Sequence, residues 1–318
     1  MHAAVVSSFD TPPRYDTIDA PAAARDSEVV VDVIASGLHP RVRSQSDGSH
    51  YTSTDELPLV PGIDGVGRTP SGELRYFILE DTTAGAMAEQ TVIDLRRSIP
   101  LDDAADPIAV AAAMNPAMSS WIALRRRIPF TAGQSVLVLG ATGSAGQLAV
   151  QVAKHLGAVR VIAAGRDENR LARLTALGAD QVVSLAGAPE DVARRLGEAA
   201  ADVDVVIDYV WGPPTAAAMV AIATNRTDPG QPISWIEIGS VGGRSAEIPS
   251  AALRAVRMTI VGSGQGSVPT RDIVAELPAL AARIGSGSFT IDARAVALAD
   301  VEKAWLESGG AERIVITP

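Results

Sequence analysis

Apolar positions along this chain follow two periods, and the change from one to the other marks its organisation. Around residues 3–6 and 29–34 β-branched residues dominate, with Pro12, Pro13 and Pro21 between them, which predicts strands of an irregular β region. Residues 35–51, ASGLHPRVRSQSDGSHY, are polar and glycine-punctuated and predict a surface loop, followed by LPLVPGIDGVG at 57–67. Strand character returns over 84–93. Residues 109–127 are helix-compatible but interrupted at Asn115 and Pro116, which predicts a break at a crossover between domains.

From residue 136 the pattern becomes regular. VLVL at 136–139 is a run of consecutive apolar residues, as in a strand buried on both faces; a glycine turn follows, and then Leu148, Val152 and Leu156 form a helix face that stops at Gly157. Predicted strands at 159–164, 181–184, 203–208, 234–239 and 258–262 alternate with helices at 168–177, 189–199 and 215–224, the first of these capped by Asp167. This alternation predicts a doubly wound parallel sheet. Helices at 271–284 and 298–308 and a last strand at 313–317 are suited to completing the first domain.

The turn after 139 carries Gly140, Ala141, Thr142, Gly143, Ser144, Ala145 and Gly146. A dinucleotide pyrophosphate lies against backbone N–H groups at a helix N-terminus, and glycines remove the side chains that would hold it off. The spacing is GxxGxxG where the better-known form is GxGxxG, so the run by itself also describes a tight strand-to-helix turn without a ligand.

Composition narrows the field. A chain of 318 residues accommodates two domains, and 47% hydrophobic with 20% charged residues is a globular balance. A net charge of −10 argues against a nucleic-acid partner. The absence of cysteine excludes disulfides, thiol nucleophiles and thiolate metal sites, and lysine occurs only at Lys154 and Lys303, so Schiff-base chemistry has few candidates. No basic leader or long apolar run stands out, which reads as a cytoplasmic protein with no membrane partner.

The segments VVVDVIASGLHP, LPLVPGIDGVG, AGAMAEQTVI, VLVLGATGSAGQLAVQVAKHLGA, LTALGADQVVS, DVVIDYVWG and IEIGSVGG occur in the order seen in the medium-chain dehydrogenase/reductase superfamily. Together they resemble most closely its zinc-free quinone oxidoreductase branch. The resemblance implies an α/β protein with a GroES-like β domain (1–113 and 267–318) and a Rossmann domain (114–266). It also implies NADPH as cofactor, and a quinone, enone or similar activated carbonyl compound as the small-molecule substrate. Two departures stand out: residues 68–76 are short where the family inserts a longer stretch, and His39-Pro40 replaces the usual Asn-Pro.

At the end of the second Rossmann strand an NAD enzyme commonly places an acid for the ribose hydroxyls, whereas here stand Gly165 and Arg166. Glycine leaves room for a 2′-phosphate and arginine offers it charged donors. Arg170 matches a position often occupied by a phosphate-binding lysine in the resembling enzymes. Both arginines also read as solvated helix residues paired with Asp167 or Glu168. Further cofactor contacts are expected at the carboxyl ends of the later strands, at Tyr209, Trp211, Gly239, Ser240, Ser263 and Gly264, although Tyr209 and Trp211 equally suit packing at a domain junction. Ser119 and Ser120, where relatives carry Thr-Ala, either face the nicotinamide or cap a helix. Tyr51 and His39 lie in the loop that lines the substrate cleft in the resembling enzymes, and are the candidate catalytic hydrogen-bond donors; a structural role is open for each. Asp64 either orients a neighbouring donor or satisfies turn backbone.

No zinc is expected, because the family's early-strand cysteine corresponds to His39 and the later ligand histidine to Ile63. The strand at 258–262 predicts a homodimer by edge pairing. The competing function is an NADPH-binding sensor or scaffold without turnover. A short-chain dehydrogenase lacks its Tyr-x-x-x-Lys pair here, and an esterase or protease has only scattered Ser, His and Asp without a GxSxG elbow.

Overall fold

A computed structural model describes residues 1–307 and 312–318. The chain divides into two compact units, 1–115 with 270–318, and 116–269. In the first, β1 (His2–Val5), β2 (Arg14–Thr17), β3 (Glu28–Gly37), α1 (Pro40–Ser46), β4 (Asp64–Arg68), β5 (Leu74–Ile78), β6 (Gln90–Asp94) and β7 (Ser98–Pro100) lead into α2 (Pro107–Ile122). The second holds β8 (Ser135–Leu139), α3 (Ser144–His155), β9 (Arg160–Gly165), α4 (Glu168–Leu174), β10 (Gln181–Ser184) and α5 (Pro189–Ala200). It continues through β11 (Val205–Asp208), α6 (Gly212–Asn225), β12 (Ile233–Glu237), α7 (Ser250–Ala255) and β13 (Met258–Gly262). The chain then returns to the first unit with α8 (Thr270–Gly285), β14 (Ala293–Ala297), α9 (Val301–Leu306) and β15 (Arg313–Thr317).

The second unit is a parallel sheet ordered β10-β9-β8-β11-β12-β13. Its register aligns the carboxyl ends: Leu139 pairs with Ala164 and Asp208, and Asp208 with Glu237. One face buries Leu137, Ile162, Val206 and Trp235 against Leu196, Met219 and Ile222 of α5 and α6. The α3 helix stops where expected: Gly157 has φ +95° and donates to the Lys154 carbonyl, while Ala158 N–H reaches back to Ala153 O at 2.9 Å, a left-handed helix cap. At the amino-terminal side Arg226, buried, donates to the carbonyls of Ala201, Val203, Gln231 and Pro232.

The first unit is antiparallel except for its β14-β15 pair, in the order β14-β15-β3-β4-β5-β7 with β6 also on β3, beside a separate β1-β2 hairpin. Hydrophobic clusters around Val31, Val33, Phe77 and Ile93, and around Leu38, Val42, Ile316 and Val301, fill it.

Several elements differ from the sequence expectation, each for a physical reason. The residues 35–51 are not all loop: β3 runs on to Gly37, and Pro40, suited to the first helical position, opens α1, whose Val42, Gln45 and Ser46 are buried. Nor do Asn115 and Pro116 break α2; Pro116 deletes one backbone donor, and burial of Val110, Met114, Ala117 and Trp121 along the helix outweighs that loss. The same holds for Pro278 inside α8. Residues 107–127 are long and apolar enough to cross a membrane by length and composition, contrary to the expectation, but 67% of the apolar window is buried inside the protein. Strand structure covers only the second half of 84–93. Residues 68–76, short against the family pattern, make a tight hairpin in which Arg68 faces Leu74. The strands β2, β4, β5, β7 and β14 and helix α7 are additional to the sequence expectation. The last helix ends at Leu306, and the expected extension to Ser308 lies outside the described residues.

Arg226→Ala should strip four carbonyls of their donor, and each orphaned buried group costs about 1–3 kcal/mol. Water entering the space left by the side chain recovers part, so a loss of at least ~2 kcal/mol in urea unfolding is expected; an unchanged midpoint would contradict the role assigned to this side chain.

Candidate functional site

The carboxyl edge of the parallel sheet collects most of the candidate cofactor residues. Gly140 turns the chain out of β8 at φ +85°, and the N–H groups of Gly140 and Ala141 both donate to Ala164 O. A Cβ on Gly146 would stand 2.3 Å from Gly140 O and 2.5 Å from Ala141 Cα, so no side chain fits where helix and turn touch. Gly143 occupies the N-cap position of α3 with no side-chain cap, which leaves the first-turn N–H groups, from Ser144 and Ala145 onward, available to an anion. Thr142 stands against Gly165: a Cβ on Gly165 would lie 2.4 Å from Thr142 Cγ2. This corrects the reading of Gly165 as room for a phosphate alone, since contact with Thr142 already demands glycine there.

Arg166 and Arg170 separate. Asp167 caps α4 by accepting from Arg170 N–H at 3.1 Å and pairs with the Arg170 side chain at 3.3 Å. Arg166 is exposed and has no ion pair among the described residues.

Tyr209 and Ser119 come together, with their oxygens 2.7 Å apart. Ser119 donates to Pro116 O at 2.7 Å, so the Tyr209 hydroxyl is the donor to Ser119. Burial pushes the Tyr209 hydroxyl up to about 12, against the pull of the Ser119 and Ser120 hydroxyls. Ser120 is buried and donates to Ala117 O. Trp211 follows with φ +51°, the one non-glycine residue at positive φ among the described residues. Gly239 N–H reaches Asp208 O at 3.2 Å, and Gly242 N–H reaches Val210 O at 2.6 Å, which ties the loop after β12 to the loop after β11. Ser240 is exposed, Ser263 is buried with its N–H on Glu237 O, and Gly264 gives its N–H to the Ser267 hydroxyl at 2.9 Å.

Asp208 is the residue that sequence reasoning missed. Fully buried at the end of β11, its Oδ1 accepts from Val210 N–H (2.8 Å) and Trp211 N–H (3.0 Å), and its Oδ2 from the Thr215 hydroxyl (2.7 Å) and the Trp235 indole (2.9 Å). The signal was an acid closing an apolar strand in mid-sheet, where burial is assured and donors have to be supplied. Beside it, burial and the Asp208 charge raise the Glu237 carboxyl.

In the first unit, Asp64 orients donors rather than turn backbone. His39 Nε2 lies 3.0 Å from Asp64 Oδ1, and the Tyr76 hydroxyl donates to Oδ2 at 2.7 Å; all three side chains are buried. The carboxylate calls for a proton on Nε2, so Nδ1 carries the lone pair, and it is buried with no partner. Burial, then Arg313 and Arg41, lower the His39 pKa against the pull of Asp64. Tyr76 moves well above its ordinary value through burial and Asp64. Tyr51, in contrast, is 72% exposed and stacks on His50 at 4.2 Å between ring centroids. His50 Nδ1 lies 2.9 Å from the Thr52 hydroxyl, which donates to Asp81 at 2.7 Å, so the residues flanking Tyr51 are anchored.

A family model described as zinc-binding dehydrogenase matches residues 145–281. Over the full length of both chains this protein is 31% identical to a protein of Emericella nidulans named probable NADPH-dependent quinone reductase tdiC. The quinone oxidoreductase of Thermus thermophilus, solved also in complex with NADPH, superposes with a TM-score of 0.83 at 25% identity, covering all of both chains. Half of this chain is 26% identical over 175 residues to a 2-methylene-furan-3-one reductase of Solanum lycopersicum, covering 45% of that protein.

His39 and His50, the latter held down to about 4 by burial and Arg41, are both neutral when folded and take up protons on unfolding below about 6.5. The unfolded chain then binds more protons, so stability should fall as pH drops from about 6.5 toward 4. Urea midpoints at several pH values should show this slope, reduced in His39→Gln, whose amide nitrogen replaces Nε2 as the donor to Asp64 without titrating. An equal slope in both proteins would contradict a neutral buried His39.

Proposed function

The chain belongs to the medium-chain dehydrogenase/reductase superfamily, in its quinone oxidoreductase-like branch, and on that footing we propose an NADPH-dependent, metal-free oxidoreductase acting on a quinone, enone or similar activated carbonyl compound. The observation that carries the cofactor reading is Arg166, an exposed cation without an ion pair among the described residues, beyond the strand end where an NAD enzyme commonly has an acid.

The residues present fit a dinucleotide. Uncapped first-turn N–H groups of α3 suit the pyrophosphate, and Arg166 suits a 2′-phosphate. Ser119, Tyr209, Trp211 and the loop from Gly239 are assigned to the nicotinamide end. When bound, NADPH supplies the hydride. The protein's part is to hold that group, exclude water and hydrogen-bond the oxygen on which negative charge develops. We assign this last task to Tyr51, whose exposed phenol is backed by the His50 ring. The Nε2 proton of His39 is given to Asp64, so in its neutral form this residue offers no proton outward.

Zinc does not fit. No group of three or more His, Asp or Glu among the described residues is placed to hold an ion, Ile63 offers no ligand, and His39 Nε2 is already engaged.

We further propose a homodimer through β13, an edge strand that pairs with β12 alone among the described residues and whose Ile260 and Val261 are half-exposed. Light scattering at micromolar concentration should return twice the chain mass; a monomer mass would contradict it.

Arg166→Ala should weaken NADPH binding by roughly 1.5 to 3 kcal/mol, the scale of a charge-assisted hydrogen bond, and leave NADH almost unchanged. Calorimetry at fixed ionic strength checks this. Equal loss for both cofactors, or equal affinity in the unmodified protein, would reduce Arg166 to a solvated surface residue. The complementary Gly165→Asp exchange has to be made with Thr142→Ala, because Thr142 occupies the space of the new Cβ.

A further inference from the structure

Trp211 holds a backbone conformation, φ +51° and ψ −170°, at the border of a region that glycine alone populates routinely. Such a conformation persists only where its surroundings over-determine it. Here the surroundings are one carboxylate. Asp208 Oδ1 accepts the N–H groups of Val210 and Trp211, and Oδ2 is fixed by Thr215 in the first turn of α6 and by the Trp235 indole of β12. The loop so held is also joined to the other candidate cofactor segments: the Tyr209 hydroxyl donates to Ser119, Tyr209 N–H to Leu139 O at the root of the glycine turn, and Val210 O accepts from Gly242 N–H.

Resting on the dinucleotide reading above, we propose that Asp208 is a positioning residue that keeps the Tyr209–Gly212 loop strained and preformed for the nicotinamide end. It touches no cofactor. Its loss therefore acts on NADPH and NADH alike, in contrast to Arg166, whose effect depends on the 2′-phosphate.

Asp208→Asn preserves volume but turns one acceptor oxygen into an amino group, which faces either two backbone donors or an indole donor and cannot accept from them. Two readouts test the proposal. Amide hydrogen exchange at Val210 and Trp211 should quicken at least tenfold in the variant, and the dissociation constants of NADPH and NADH should both rise at least tenfold. In a Trp211→Gly background, where glycine adopts the same backbone without strain, adding Asp208→Asn should weaken binding less than threefold. A folded Asp208→Asn protein that binds both cofactors within twofold of the parent, or an equal effect in both backgrounds, overturns the proposal. Should that variant fail to fold, Thr215→Val removes one of the four donors and should weaken both cofactors about threefold, with no change counting against the proposal. Protected amides at 210 and 211 in a parent protein that binds neither dinucleotide would instead overturn the cofactor reading.

Discussion

The structure of the second unit depends on the alignment of its strands at their carboxyl ends. In the order β10-β9-β8-β11-β12-β13 the chain leaves β8 toward one side of the sheet and later resumes at β11 on the other. The connections after these two strands therefore lead to opposite sides of β8, the topological switch point at which open α/β sheets bind ligands. Leu139 and Asp208 are register partners at that point. The glycine turn follows the first and the strained Trp211 loop the second, so backbone donors on one side face an ordered loop on the other. A carboxylate buried there is tolerable only because every lone-pair direction in use meets a donor.

The first unit solves a similar problem with a different result. Asp64, at the start of β4, is buried between His39 and Tyr76, and Arg313 lies near enough to oppose protonation of the histidine. A histidine held this way is an acceptor at Nδ1 and a donor only inward. That removes it from direct proton delivery in its neutral form, whereas the ring of Tyr51 is displayed outward.

Local patterns were legible in the sequence and long-range ones were not. The strands Gln181–Ser184, Met258–Gly262 and Arg313–Thr317 fall on the expected residues, because short runs of apolar or β-branched residues between turns leave little choice. The Asp167 cap is likewise a local bond, three residues long. The helix α1 was hidden because RVRSQS places polar residues at buried positions, and the partner of Gln45 Oε1 is Gly62 N–H, 17 residues away. The contact between Thr142 and Gly165 joins two turns that no periodicity connects. Asp208 stood between these cases: three of its donors lie within seven residues, but the Trp235 indole comes from the next strand.

The central claim is that the preformed edge of this sheet serves turnover, and it is tested most directly by following acceptor reduction. The purified protein would be mixed with NADPH and a panel of 1,4-quinones and conjugated enones, and both cofactor and product quantified. The account predicts continuing oxidation of NADPH with one acceptor reduced per cofactor consumed, unaffected by a metal chelator. Tight NADPH binding with no acceptor reduced across the panel would contradict it and mark the protein as a cofactor-binding sensor or scaffold.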